Sequence, residues 1–343
     1  MSSVTIKDIA KMASVSCATV SRVLNGESCV KEDTRQRVLA LCREHGYRRN
    51  LLARSLSAKR TSLIGCIVSD LVNPLFAELA LPLEQSARRQ GYHMMLCHGR
   101  VESSDMKQIF DFLMGHRVDG IILVSSSNQA PELLQQYIDR VPVVLQGIFD
   151  MERHHLPVPC VSADHAAGGR MAAEYLYRLG HRKVLYLGVR ESSYSHVLRY
   201  QGFAAAAASL GMSVRVAPNP GLSSNTDVGY QLAKQFFFDR FEQTAIFAAC
   251  DSIALGVMAA AREFHISIPE ELSLLGFDNI SYSALPNICL STFDPDIKQL
   301  AETTMTRLIQ QIEGRGTSDT LPRLVRPVLV ERETCRQVEK PIL

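Results

Sequence analysis

The sequence predicts an N-terminal all-α head followed by an α/β core of two doubly wound parallel-sheet lobes. Three observations carry this expectation. Apolar residues in the first 48 positions fall at helical spacing. From Ser62 onward short apolar runs alternate with helical stretches, the pattern of a parallel sheet covered on both faces. That rhythm then restarts near Cys160, which makes two lobes. At 343 residues the chain has room for two or three domains.

The head opens with Thr5 and Asp8, a capping pattern that satisfies orphan amide donors at a helix start. Ile6, Ile9 and Ala10 then share one face. The apolar run breaks at Ser14, and Ser16 can cap a second helix that turns Val20, Val23 and Leu24 inward. Its other face shows Cys17, Ala18, Thr19, Ser21 and Arg22. These side chains are too small to build a core. They suit a DNA major groove, where a helix must come close to base edges and arginine can pair with guanine. A plain helical hairpin with a polar outer face fits the same stretch. A third helix, over Glu32 to Glu44 with Gly46 beyond its end, closes a small helical core through Val38 and Leu41.

Charge separates the head from the rest. Residues 1–60 carry twelve Lys/Arg and five Asp/Glu, a net +7, in a chain whose net charge is +2; the other 283 residues therefore carry −5. A basic head on an acidic body is expected to meet a polyanion through the head. Residues 46–60 join the two; Leu52 and Leu56 stand at i, i+4 among basic residues, in a helix too short to be stable alone or in a plain basic linker.

In the core, strands are predicted at 63–68, 92–97, 120–124 and 141–145, with helices at 75–90, 105–114 and 131–138. The second round has strands beginning at Val161, Val184, Val214, Ala245 and Ser273, and helices at 166–179, 195–210, 227–238 and 253–264. A last helix from Ile297 to Glu313 and a strand at 328–331 cross back between the lobes. Two such lobes leave a crevice at the carboxyl ends of their strands, where a ligand binds. Polar residues recur at those ends: Asp70 and Asn73, Ser125 and Ser126, Gln146, Asp164, Asp251, and Asp278 with Asn279, with Arg199 early in a helix. Each alone also reads as a cap or turn residue. Together they suit a small polyhydroxylated ligand. Arg199 offers donors, Asp278 as a carboxylate only accepts, and Phe76 or Phe149 could form an apolar platform.

The segments Thr5-Ile-Lys-Asp-Ile-Ala, Val15-Ser and Ala18-Thr-Val-Ser-Arg-Val-Leu-Asn, followed by Gly46-Tyr, Asn50, Ala53-Arg and Leu56, resemble the lac/galactose repressor family of bacterial transcription regulators, and the resemblance runs through almost the whole chain. It implies a helix-turn-helix DNA-binding domain at 1–48, a hinge at 49–61 and an effector-binding and dimerisation core at 62–343. The core would be similar to a periplasmic sugar receptor, with one lobe at about 62–159 plus 293–324 and the other at about 160–292 plus 325–340. The hinge would fold on DNA with Leu56 wedged between base steps. The expected DNA contacts are then Thr5, Ser16, Cys17, Ala18, Thr19, Ser21, Arg22, Asn25, Asn50, Ala53, Arg54 and Leu56. Effector contact is carried over to Asn73, Phe76, Arg199 and Asp278, joining Asp70, Ser125, Gln146, Asp164 and Asp251. Three positions depart from the family pattern: Arg49 replaces a frequent proline, Cys250 a frequent asparagine, and Gln146 a residue that is often charged.

The expected function is thus a sequence-specific repressor, a homodimer on double-stranded operator DNA, controlled by a small polar effector such as a sugar or sugar derivative. A sugar-transport receptor and an α/β enzyme acting on sugars or nucleosides are the other classes this core permits. The basic head and the polar N-terminus without a secretory signal oppose the first. Missing G-x-x-x-x-G-K-[ST], G-x-G-x-x-G, H-E-x-x-H and G-x-S-x-G motifs oppose the second. Nine cysteines without a C-x-x-C pair read as buried free thiols, His154-His155 as solvated, and neither metal nor cofactor is expected. No apolar run approaches the ~18 residues of a membrane span, so a cytoplasmic protein is expected.

Overall fold

The computed structural model of the protein describes residues 4–24, 26–47, 60–101, 104–151, 153–221, 223–238, 241–315 and 321–338. The chain divides into two compact units, Met1–Thr61 and Ser62–Leu343.

In the first unit, helix α1 (Ile6–Met12) starts with the expected reciprocal cap. Asp8 Oδ2 accepts the Thr5 amide at 2.8 Å and the Asp8 amide donates to Thr5 Oγ1 at 3.4 Å. The turn passes through Ser14 at φ 56, and Ser16 Oγ accepts the Thr19 amide at 3.0 Å to start α2 (Cys17–Leu24). Helix α3 (Glu32–Glu44) completes a core of Ile9, Ala10, Ala13, Val20, Val23, Val38 and Cys42. Leu24 and Leu41 pack at its margin rather than at its centre.

The second unit holds two parallel sheets. The first contains β1 (Leu63–Val68), β2 (His93–His98), β3 (Gly120–Val124), β4 (Val143–Gln146), β5 (Cys160–Ala163) and β11 (Arg323–Val325), in the order β11-β5-β4-β3-β1-β2. Helices α4 (Pro74–Arg89) and α11 (Ile297–Ile312) bury one face of it through Leu79, Leu83, Met305 and Leu308. Helices α5 (Met106–Gly115) and α6 (Ala130–Leu134) cover the other through Phe110, Leu113 and Leu134. The strand at Cys160 corrects the expected division. The rhythm of the sequence placed it at the head of the second lobe, yet it pairs with β4 and β11 in the first. Alternation of strands and helices marks the repeat, whereas sheet membership is set by long-range pairing that local pattern does not contain.

The second sheet runs β7 (Ser213–Pro218), β6 (Lys183–Val189), β8 (Ala245–Ala248), β9 (Ser273–Leu275). Around it pack α7 (His165–Arg178) with α8 (Tyr194–Ser209), and α9 (Thr226–Phe238) with α10 (Asp251–Glu263). Strands β10 (Thr292–Asp294) and β12 (Val328–Val330) form an antiparallel pair where the chain passes between the lobes. Neither β10 nor β11 was predicted; of the four three-residue strands, only β9 and β12 stood out as apolar runs in the sequence.

Candidate functional site

A cavity of about 1140 Å³, part of it open to solvent, lies between the lobes of the second unit. The first lobe contributes Asp70, Asn73 and Phe76 after β1, Ser125 after β3, and Gln146 at the end of β4. The second contributes Arg199 on α8 and Asp278 after β9. Seven of the nine expected effector residues therefore share one wall.

Most of them also build the local backbone. Asp70 Oδ1 accepts the amides of Val72 and Asn73 at 2.9 and 3.3 Å, and Asn73 Oδ1 accepts the Leu75 amide at 3.1 Å as the cap of α4. Ser125 Oγ accepts the Ser127 amide at 3.1 Å. Gln146 is committed on both sides, donating to Val161 O at 3.2 Å and accepting from Thr304 Oγ1. The cap reading and the site reading of these residues are thus true together, because a turn at a strand's end both needs a polar side chain and faces the crevice.

Two expected residues lie elsewhere. Asp164 caps α7, accepting the Ala167 amide at 2.9 Å, and is absent from the cavity wall. Asp251 is fully buried and spends its oxygens on Thr292 Oγ1 at 2.5 Å, Ser283 Oγ at 2.7 Å and the Ile280 amide at 3.1 Å. Burial raises its carboxyl to about 6 against the pull of those donors, and the bonds brace the loop that carries Asp278. Phe149 is likewise buried in the first lobe's core, which leaves Phe76 as the platform.

Arg199 and Asp278 form the ionisable centre. Arg199 is 2% exposed; it donates to Ala249 O and to His165 Nδ1 at 2.9 Å, and its guanidinium carbon lies 3.5 Å from the centre of the Phe277 ring. Asp278 Oδ1 stands 3.9 Å from Arg199 Nη2. Since a guanidinium only donates, His165 Nδ1 accepts and its ring is neutral. Burial, with Arg199 next to it, holds its pKa well below the ordinary histidine value. Burial raises the Asp278 carboxyl to about 8, opposed by Arg199 and reinforced by Asp251 and Glu78. The sequence expectation has Asp278 accept only; a carboxyl raised in this way is favoured in its protonated form, which also donates. Its backbone sits at φ 119, followed by Asn279 at φ 49, in the turn beyond β9. Cys250 also faces the cavity, and burial pushes its thiol up to about 12, so it presents a neutral surface.

Sequence reasoning missed Arg100, His165, Arg190 and His196 on this wall. Arg100 lies two residues past β2 and Arg190 directly follows β6, so the strand-end rule that found Asp70 reaches them too.

The lobes touch around the cavity. The Tyr194 amide donates to Ser126 O at 2.7 Å, Ser252 Oγ to Asn73 Oδ1 at 3.4 Å, the Ser281 amide to Glu78 Oε1 at 2.9 Å, and Arg100 to Ser223 Oγ at 2.8 Å.

In the first unit, the expected DNA face of α2 is free of the core. Ser16, Cys17, Ala18 and Arg22 are exposed, with Thr19 and Ser21 half-buried and Thr5 exposed at the start of α1. Arg22 Nε lies 3.9 Å from Glu27 Oε2, a loose surface pair. Asn25, Asn50, Ala53, Arg54 and Leu56, with most of the expected hinge, lie outside the described residues. Among the described residues no group of His, Cys, Asp and Glu is placed to hold a metal, and no helix is long and apolar enough to cross a membrane.

Residues 5–50 match the family described as bacterial regulatory proteins, lacI family, and residues 173–335 match the periplasmic binding protein-like domain. The catabolite control protein A of Priestia megaterium is 30% identical over 318 residues, covering 92% of this chain and 95% of that protein. The HTH-type transcriptional repressor PurR of Glaesserella parasuis serovar 5 (strain SH0165) is 30% identical over 343 residues, covering 98% and 99%. Among solved structures, the lac repressor dimer bound to operator and the anti-inducer ONPF aligns with a TM-score of 0.85 at 27% identity, over 98% of this chain and 100% of that one. A periplasmic binding protein/LacI transcriptional regulator from Alkaliphilus metalliredigens QYMF, complexed with D-xylulofuranose, aligns with a TM-score of 0.69 at 28% identity over 80% and 99%.

Proposed function

The chain belongs to the lacI family of bacterial regulatory proteins, and from that premise we propose how its parts divide the work of a repressor. It is a DNA-binding transcription regulator and not an enzyme. Helix α2 reads the operator in the major groove through Cys17, Ala18, Thr19, Ser21 and Arg22, with Thr5 and Ser16 at the flanking helix starts. Asn25, Asn50, Ala53, Arg54 and Leu56 complete the DNA contacts, Leu56 as a minor-groove wedge. One head covers half a site, so two copies bind a pseudo-palindrome as a homodimer. This work belongs in the cytoplasm, with the chromosome.

The effector is a small carbohydrate-like molecule held between the lobes. The observation that supports this most is the pair Arg199 and Asp278, nearly excluded from solvent on one cavity wall. A buried cation beside a carboxyl that can donate or accept is costly to maintain unless a hydroxylated ligand completes its hydrogen bonds. Asp70, Asn73, Phe76, Ser125 and Gln146 form the first lobe's side of that site. The ligand favours one arrangement of the lobes and so one arrangement of the heads. Titration calorimetry of sugars and their derivatives into wild type and Arg199→Ala tests the assignment. Binding by wild type that Arg199→Ala loses supports it; equal affinity in both removes Arg199 from the site.

A further inference from the structure

The chemistry of the cavity wall narrows the effector beyond carbohydrate, on the reading of this cavity as the effector site. Among its described lining residues stand three arginines, Arg100, Arg190 and Arg199, against two acids, Asp70 and Asp278. Asp70 is already turned to the backbone amides of Val72 and Asn73. Burial favours the neutral form of Asp278. Arg100 spends one bond on a neutral serine hydroxyl. Arg199 keeps a buried Nε without a hydrogen-bond partner.

Arg190 is the first residue after β6, on the segment that leads into α8, a helix of sixteen residues. That helix starts without a side-chain cap, because the hydroxyl of its N-cap Ser193 pairs with that of Ser195 at 3.0 Å. An uncapped helix start presents amide donors and the positive end of the helix dipole. Here it faces the same cavity as Arg190. The rest of the wall is rich in hydroxyls, with nine serines, while Phe76 is its one Phe, Tyr or Trp side chain. Guanidinium groups, hydroxyls and backbone amides are the donors that oxyanions require; at this helix start the Tyr194 amide is already given to Ser126 O, and Ser195 and His196 line the cavity beyond it. The wall thus holds more guanidinium groups than carboxyls, the balance that an anionic ligand matches.

We propose that the effector is an anionic polyol, a carbohydrate-like molecule bearing a phosphate or a carboxylate, with its acid group at Arg190 and the start of α8 and its hydroxyls toward Arg199 and Asp278. Arg190 is then the residue that separates an acidic sugar from its neutral parent.

The test uses the full chain near neutral pH and at constant ionic strength. Thermal melting is followed with inorganic phosphate, and calorimetry with matched sets: glucose, glucose 6-phosphate and gluconate; ribose and ribose 5-phosphate; fructose and fructose 6-phosphate. Phosphate is expected to raise the melting temperature of wild type more than that of Arg190→Gln, which cancels phosphate bound at the head. At least one phosphorylated or carboxylated sugar is expected to bind about tenfold or more tightly than its parent. Arg190→Gln is expected to weaken that ligand about tenfold and its parent less than about twofold. The phosphate and carboxylate members of the set show which acid the site takes. A parent sugar that binds as tightly as its acid derivatives, or an Arg190→Gln loss equal for both, overturns the proposal while leaving the cavity a carbohydrate site. Phosphate binding through Arg190 with no sugar bound overturns the carbohydrate reading instead, and no binding of any kind overturns both. If ligand-free Arg190→Gln melts far below wild type, Arg100→Gln is held to the same criteria.

Discussion

Arg199 and Asp278 show how burial changes the role a residue plays. In the open chain one is a cation and the other an anion; within the folded core the Asp278 carboxyl is raised to about 8 by burial. Such a group favours folding in its protonated form. Its stabilisation is complete below the ordinary carboxyl range and is lost as pH rises toward about 8. Chemical denaturation of the ligand-free core across that window is expected to show stability falling with pH, and less so in Asp278→Asn; parallel curves for the two would refute the raised carboxyl. Truncating Arg199 to alanine removes a charged hydrogen-bond donor from the ligand and is expected to cost about 1.5–3 kcal/mol of effector binding by calorimetry. In the head, Arg22 stands exposed on α2 and pairs loosely with Glu27. Arg22→Ala is expected to lose about 1–3 kcal/mol on the cognate operator and little on random DNA. Equal losses on both would make Arg22 a phosphate contact.

At the scale of elements, the position of Arg199 depends on how closely α7 and α8 approach. A Cβ on Gly169 would lie 2.0 Å from Arg199 O, and one on Gly202 would lie 2.1 Å from Ala166 O. Gly169→Ala is therefore expected to push α8 outward, lower stability by about 1–3 kcal/mol, and weaken the effector as Arg199 moves. Thermal melting with calorimetry checks this, and an unchanged protein would mean the helices separate freely. Helices and long strands were legible in the sequence because their apolar spacing is local: α3 has the predicted bounds, and α1 the predicted cap. Strand-end polar residues were legible as a class. Which of them face the cavity was not: Asp164 makes the same kind of local amide bond as Asp70, and Asp251 is taken up by partners such as Thr292 that lie far along the chain. The place of β5 was illegible for the same reason, as β4 and β11 come to it from far along the chain. Arg100 and Arg190 were within reach of the rule and went unread because they follow their strands without a turn-forming acid or amide.

At the scale of the whole molecule, a head of net +7 is joined to a body of net −5. Operator affinity is expected to fall steeply with salt, by about 10³–10⁵ between roughly 50 and 200 mM if six to ten phosphates are neutralised. A fragment from Ser62 onward is expected to keep effector binding and lose DNA binding; retardation of operator DNA by that fragment would contradict the division of labour. The central claim is that the cavity's ligand governs the head's grip on DNA. The most direct test is the operator affinity of the full chain, by fluorescence anisotropy, with and without a ligand that binds the core. Wild type is expected to shift about 5–150-fold and Arg199→Ala less than about twofold. A ligand that saturates the wild-type cavity and leaves operator affinity unchanged would contradict the account.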